Sequence, residues 1–293
     1  MTETLLIQDI PRGSVLVGVD GSDGSNGALD WAADEAARQH RTLVVVHTES
    51  PVTPWNASGY PSAVVYAPDL RDAVLAGGKA ITAAAHERAV ARQADLEVIE
   101  ANDTIDPRLG LVEASRHAHV LVVGSRGRGP LASMLMGSVS VAVSRDTVCP
   151  VVVVRPGDAA GSHVLALVDG TAASIPVIEF AARHASELGQ PLRITHLLWP
   201  VYDVDLQLVE GATRMLAETS AGLGEKFPDV VVTTEVANTA GPEELLATAT
   251  EASFVVVGHQ SSNRLHQFLY RSVSSAVLEH ATVPVAVVPT PAD

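Results

Sequence analysis

Residues 119–154 read HVLVVGSRGRGPLASMLMGSVSVAVSRDTVCPVVVV, and this stretch decides the fold. A β-branched run at 120–123 stops at Gly124. A glycine-punctuated loop follows, then Gly137-Ser138, a segment of helical character, Pro150 and a second valine run at 151–154. A buried strand that opens into a Gly-rich loop and meets a helix start is a device for holding phosphate. Gly124 and Gly127 allow close approach of backbone to a ligand, with no Cβ in the way. Gly137 and Ser138 fall where a helix begins, so unpaired N–H groups and a hydroxyl can face an anion there. The spacing is Gly124-x2-Gly127-x9-Gly137-Ser138. It lacks the Gly-Lys-Ser/Thr of a P-loop and is not the G-x-G-x-x-G of a dinucleotide fold. The competing reading is a plain surface turn between two elements.

Composition bounds what surrounds this stretch. The chain has 293 residues, enough for one large domain or two of ordinary size. Hydrophobic residues make up 47% and charged residues 18%, which describes a globular chain and excludes a disordered one. Aromatics are only 4%, so Ala and Val carry the apolar burial, as in helices packed on a parallel sheet. The formal net charge of −15 argues against a nucleic-acid duplex or an anionic membrane as partner. No run is long enough to span a membrane. The opening MTETLLIQDIPRG is too short and too acidic for a signal peptide. Cys149 is the single cysteine, so an internal disulfide is impossible. Together these features lead us to expect a cytoplasmic protein.

Taken in order, the first half alternates strand and helix. Residues 15–19 form an apolar strand that ends at Asp20, and Ser25 or a neighbour caps the helix carrying Leu29, Ala32, Ala33 and Ala36 on one face. A strand is expected at 42–48, a Pro-rich loop at 50–69, a helix at 70–92, a strand at 96–101 and a helix at 106–117. With the stretch at 119–154 the total is five strands and four helices, a doubly wound α/β unit. The pattern then recurs. VLVGVDG at 15–21 matches VLALVDG at 164–170, and His47 matches His196 at the same offset of 149. Residues 119–154 and 253–288 share 14 of 36 positions without a gap. Two copies of one fold therefore stand in tandem, at 1–156 and 162–293, with the polar linker RPGDAAGS at 155–162 as the seam.

Both copies resemble the universal stress protein family, whose nucleotide loop is written G-x2-G-x9-G-(S/T). The resemblance implies two flavodoxin-like domains of the adenine-nucleotide alpha-hydrolase type. Each would be a five-stranded parallel sheet, order 3-2-1-4-5, with helices on both faces. Strands one and four flank the topological switch of such a sheet, and ligands bind off their carboxyl ends. Asp20 ends the first of these strands and Gly124 the second, so motifs a hundred residues apart would face each other. By resemblance, Asp20 lies near the adenosine, and Gly18, Val19, Thr48 and Val123 line the adenine side. Gly124, Gly127, Gly137, Ser138, Val139 and Ser140 would hold ribose and phosphates. Arg126 and Arg128 stand inside the loop, as phosphate contacts or as solvated charge. Asp20 could instead cap the turn that follows it. The resemblance also implies pairing of terminal strands, here 151–154 with 285–288 within one chain, and a homodimer.

The other reactive residues read as structural. His47 and His196 sit in apolar strands and are expected to be hydrogen-bonded rather than basic catalysts. His117 and His119 have no metal-ligand spacing, and we expect no metal site. Cys149 beside Pro150 is expected to be a small buried hydrophobe.

The second copy keeps Asp169, Gly170, Gly258 and Ser272, but has Ser261 and Arg271 where the first has Gly127 and Gly137. Leu167 and Leu197 replace Gly18 and Thr48. We expect ATP in the first copy, with Mg²⁺ brought by the nucleotide, and an empty second copy. No P-loop lysine or water-positioning base is evident, so a regulatory role through nucleotide occupancy is favoured over catalysis beyond weak ATP turnover. The alternatives are a slow ATP hydrolase or nucleotidyl transferase, or a scaffold binding another adenine ligand.

Overall fold

Valine-rich strands buried on both faces require helices above and below, and the computed structural model has this arrangement. It describes residues 5–50, 68–127, 136–157, 161–169, 172–198, 206–238, 242–260 and 275–290. The chain divides into two compact units, one of Met1–Pro130 with Gly137–Cys149, the other of Leu131–Met136 with Pro150–Asp293.

The first unit runs β1 (Ser14–Gly18), α1 (Asp23–Arg38), β2 (Leu43–Thr48), α2 (Pro68–Arg92), β3 (Val98–Asp103), α3 (Pro107–Ala114), β4 (Ala118–Gly124) and α4 (Ser138–Asp146). Its strands lie in the order β3-β2-β1-β4, all parallel. The central strands are fully buried: Val15, Leu16 and Val17 of β1 and Leu43, Val44 and Val45 of β2 have no exposed surface. Helix α1 meets the sheet through Ala28, Leu29, Ala32, Ala33 and Ala36. Small side chains every third or fourth residue let a helix lie close to a sheet. On its outer side α1 is tied to α2 by two forked pairs, Arg88 with Asp30 and Arg92 with Asp34, each bond 2.6–2.7 Å. They are partly exposed and worth about 1 kcal/mol or less apiece.

The outer edge of β3 is paired at one residue. Leu5 forms a parallel bridge to Ala101. Its N–H donates to the Glu100 carbonyl at 2.9 Å, and its carbonyl accepts from Asn102 N–H at 3.1 Å. At that point the edge has no unpaired backbone groups to offer another chain.

Element boundaries shift modestly from those expected. β3 begins at Val98 rather than 96 because Leu96 N–H closes a turn onto the Gln93 carbonyl. α3 stops at Ala114 because a turn from Ser115 to Ala118 takes over before β4. Asp106 caps α3 by accepting from Arg108 N–H at 2.9 Å, with Pro107 in the first turn as the sequence indicated. The cap of α1 is Ser22, which accepts from Ser25 N–H at 3.3 Å, so a neighbour of Ser25 does that work. The Pro-rich loop falls largely at 51–67, outside the described residues.

The second unit runs β5 (Val151–Val154), β6 (Val164–Val168), α5 (Ile175–Leu188), β7 (Leu192–Leu198), α6 (Leu206–Lys226), β8 (Val232–Asn238), α7 (Pro242–Thr250), β9 (Phe254–Gln260) and β10 (Val285–Thr290). Residues 275–280 are also helical. Strands β8-β7-β6-β9-β10 are parallel and give the order 3-2-1-4-5 in full. β5 then joins the β10 edge antiparallel, with Val285 opposite Val153, Ala286 opposite Val152 and Val287 opposite Val151. The expected meeting of 151–154 with 285–288 is thus present, and it lies inside the second unit. The fifth strand of the first copy is counted there too, so the first unit itself holds four parallel strands. Four consecutive valines need burial on both faces, and Val151, Val152 and Val153 are fully buried here.

Candidate functional site

The crevice of the first unit is built by β1 and β4, which are adjacent and parallel, so their carboxyl ends open at the same side of the sheet. Gly124 at the end of β4 is packed onto backbone. A Cβ there would lie 2.6 Å from the Gly24 carbonyl oxygen and 2.7 Å from its carbon. Gly24 in turn faces the Arg126 carbonyl oxygen, again with no room for a Cβ. The start of α1 and the loop after β4 are therefore in backbone-to-backbone contact, which only this pair of glycines permits.

The acidic residue and the glycine loop meet as the topology required. A Cβ on Gly127 would collide with Asp20 Oδ2. The other carboxylate oxygen, Oδ1, accepts from Ser22 N–H at 2.9 Å and from Ser22 Oγ at 2.6 Å. One Asp20 oxygen thus closes the turn before α1, the role weighed as the alternative to ligand contact, and the other lies beside Gly127. Ser22 and Ser25 were not singled out as site residues. Ser25 is buried, and its hydroxyl accepts from Asp20 N–H at 3.4 Å and donates to the Ser22 carbonyl at 2.9 Å. A signal existed for Ser25, because Ser174 repeats it at the offset of 149.

The remaining residues divide into those facing the crevice and those supporting it. Gly137 is extended, at φ −76° and ψ 152°, and caps α4 without a side chain. Its N–H donates to the Ser125 carbonyl at 2.8 Å. Ser138 is exposed and Val139 half-buried. The first turn of α4 therefore lies beside the loop with its N–H groups uncapped by residue 137, and the positive end of the helix favours an anion. Ser140 is buried and turned to backbone, donating to the Gly137 carbonyl at 2.9 Å. Gly18 faces Leu111 of α3 and Val123 of β4, and Thr48 is packed against α3 at Gly110. Arg126 is exposed. Arg128 lies outside the described residues, as do 129–135.

His47 is hydrogen-bonded and buried, as expected: its Nδ1 lies 2.7 Å from the Val19 carbonyl oxygen. Cys149 is buried, and burial pushes its thiol up to about 12. On the order of one thiol in ten thousand is ionised at pH 8 with such a value. Iodoacetamide should leave native Cys149 unmodified over hours and alkylate it fully once guanidinium unfolds the chain, as mass spectrometry can follow.

The corresponding place in the second unit is arranged differently. Asp169 Oδ1 accepts from Ser174 Oγ at 2.6 Å, so that carboxylate is drawn toward α5. Gly258, the counterpart of Gly124, is hemmed in by side chains. A Cβ there would be 3.1 Å from Val177 and 3.3 Å from Thr290. Leu167 is buried where the first copy has Gly18. His196 is held below its usual range by burial, partly opposed by the charge of Asp169. Gly170, Ser261, Arg271 and Ser272 lie outside the described residues, as does the side chain of Leu197.

Comparison with known proteins agrees with the fold and the repeat. The model of the universal stress protein family matches twice, over residues 11–155 and 162–289. A universal stress protein of Mycobacterium tuberculosis is 34% identical over 286 residues, covering 93% of this chain and 96% of its own. One of Mycolicibacterium smegmatis is 32% identical over 298 residues, covering 97% and 99%. Among solved structures, a universal stress protein of Archaeoglobus fulgidus superposes with a TM-score of 0.71 at 18% identity, over 94% of this chain and 98% of that one. The chain belongs to the universal stress protein family, as a tandem of two copies. No helix among the described residues is long and apolar enough to cross a membrane.

Proposed function

We propose that the first copy, residues 1–156, binds ATP in the crevice between β1 and β4, and that the second, residues 162–293, is an empty partner domain. Occupancy of the site, rather than turnover, is the signal. The observation that carries this reading is the approach of Asp20 Oδ2 to Gly127. It brings an acceptor suited to the donors of a base or sugar next to a loop whose glycines and helix start suit phosphates. Asp20, Gly18, Val19, Thr48 and Val123 form the adenosine side. Gly124, Arg126, Gly127, Gly137, Ser138, Val139 and Ser140 form the phosphate side, Ser140 acting through the backbone it bonds. Mg²⁺ enters with the nucleotide. The same reading has the protein cytoplasmic and homodimeric, acting in a stress response.

This reading assigns no crevice residue to activating water, and a site that stabilises bound ATP without added stabilisation of the transition state gives little rate. Calorimetric titration with ATP, ADP and AMP should give saturable binding of one nucleotide per chain, and a native mass spectrum should show the same stoichiometry. Phosphate release should stay below about 1 per second, the low end for ordinary enzymes. No heat at millimolar nucleotide rejects the reading, two nucleotides per chain rejects the empty second copy, and faster release makes the protein an ATPase.

A further inference from the structure

The peptide unit joining Val19 to Asp20 is gripped at both ends by side chains. Its carbonyl oxygen lies 2.7 Å from His47 Nδ1, and its N–H donates to Ser25 Oγ at 3.4 Å. A carbonyl only accepts, so His47 carries its proton on Nδ1. The neighbouring backbone N–H, that of Val19, is already committed to the Val46 carbonyl at 2.9 Å. Just past the end of β1, the Val19 carbonyl is thus held by a side chain.

The ring itself has no freedom. His47 sits in β2 directly beside Asn102 of β3, and α2 lies on top of it at Gly78. A Cβ on Gly78 would come within 2.8 Å of His47 Cδ2 and 2.9 Å of Asn102 Oδ1. A glycine inside a helix costs about 1 kcal/mol against alanine, and here it makes the space the ring occupies. The far nitrogen, Nε2, is buried without a hydrogen bond, with Glu49 Oε2 at 3.6 Å.

The repeat supplies an internal comparison. Asp169 N–H donates to Ser174 Oγ at 3.3 Å, so one end of the equivalent peptide is held in the second copy too. His196, the counterpart of His47, has its Nδ1 buried without a partner. The two-ended grip therefore accompanies the copy in which every motif position is intact. The orientation of that peptide sets the direction in which the Asp20 side chain leaves the strand, and hence its approach to Gly127.

From this we propose that His47 is a positioning residue of the nucleotide site, acting on Asp20 through the Val19 carbonyl. The inference rests on the nucleotide reading above. The test compares three variants by ATP titration and by amide hydrogen exchange. Asn puts an N–H donor where Nδ1 stands, Gln puts one where Nε2 stands, and Leu puts none. His47→Asn should bind ATP within about threefold of the original, while His47→Gln and His47→Leu should bind at least tenfold more weakly. The Asp20 amide should exchange faster in His47→Gln and His47→Leu than in His47→Asn, with or without nucleotide. If all three variants bind ATP like the original, or if Asn fares no better than Leu, His47 only packs the interior. If the original chain binds no nucleotide, the functional reading fails. The Asp20 exchange rates then decide the grip alone, and equal rates in all three variants reject it.

Discussion

Gly124→Ala should lower both stability and nucleotide binding, because the added methyl has only backbone to displace. Its Cβ would stand 2.6 Å from the Gly24 carbonyl oxygen and 3.1 Å from the Ser25 nitrogen. Neither is the end of a flexible side chain, so the start of α1 must move away from β4. Overpacking of this kind costs about 1–3 kcal/mol, which in a domain of ~150 residues lowers the melting temperature by roughly 2–4 °C per kcal/mol. The movement also separates Asp20 from Gly127, so ATP binding should fall at least tenfold, a loss of about 1.4 kcal/mol. Calorimetry and thermal melting of the same preparation measure both effects. A variant that melts and binds like the original would show that the contact between Gly24 and Gly124 is looser than the structure has it.

Asp20→Asn should separate binding from folding. The asparagine can keep one oxygen for Ser22 N–H and Oγ, preserving the turn before α1. What it loses is the carboxylate charge and, toward Gly127, an oxygen that accepts from any donor on the ligand. We expect the melting point to hold within a few degrees and ATP affinity to fall at least tenfold, in line with a charge-assisted hydrogen bond exchanged for a neutral one. Unchanged affinity would confine Asp20 to its turn-closing role and weaken the ligand reading at its centre.

These two substitutions also mark how far the sequence could be read. The valine-rich runs at 120–123, 151–154 and 255–257 mark strands, because so many β-branched residues in so short a length suit a buried sheet. The offsets of 149 and 134 fix the repeat. Strand order followed from the resemblance, and from strand order followed the meeting of Asp20 with the loop after Gly124. The support beneath that meeting was not legible. Ser22 holding Asp20, Gly24 abutting Gly124 and His47 reaching the Val19 carbonyl each depend on the direction of one bond. Composition and spacing carry no information on bond direction. Ser25 shows the limit well: the sequence left the cap of α1 to Ser25 or a neighbour, and the structure gives it to Ser22 and sets the Ser25 hydroxyl on the Asp20 amide.

The placement of β5 has a consequence for anyone who would cut this chain. The covalent seam is the polar linker at 155–162, yet β5, which precedes it, pairs with β10 and belongs to the second unit. A fragment begun at the linker would present β10 with an unsatisfied row of amides and carbonyls, the kind of border that recruits foreign strands. A fragment begun at Pro150 keeps β10 paired with β5. In this molecule the boundary that a gene designer would draw and the boundary that hydrogen bonding draws differ by one strand.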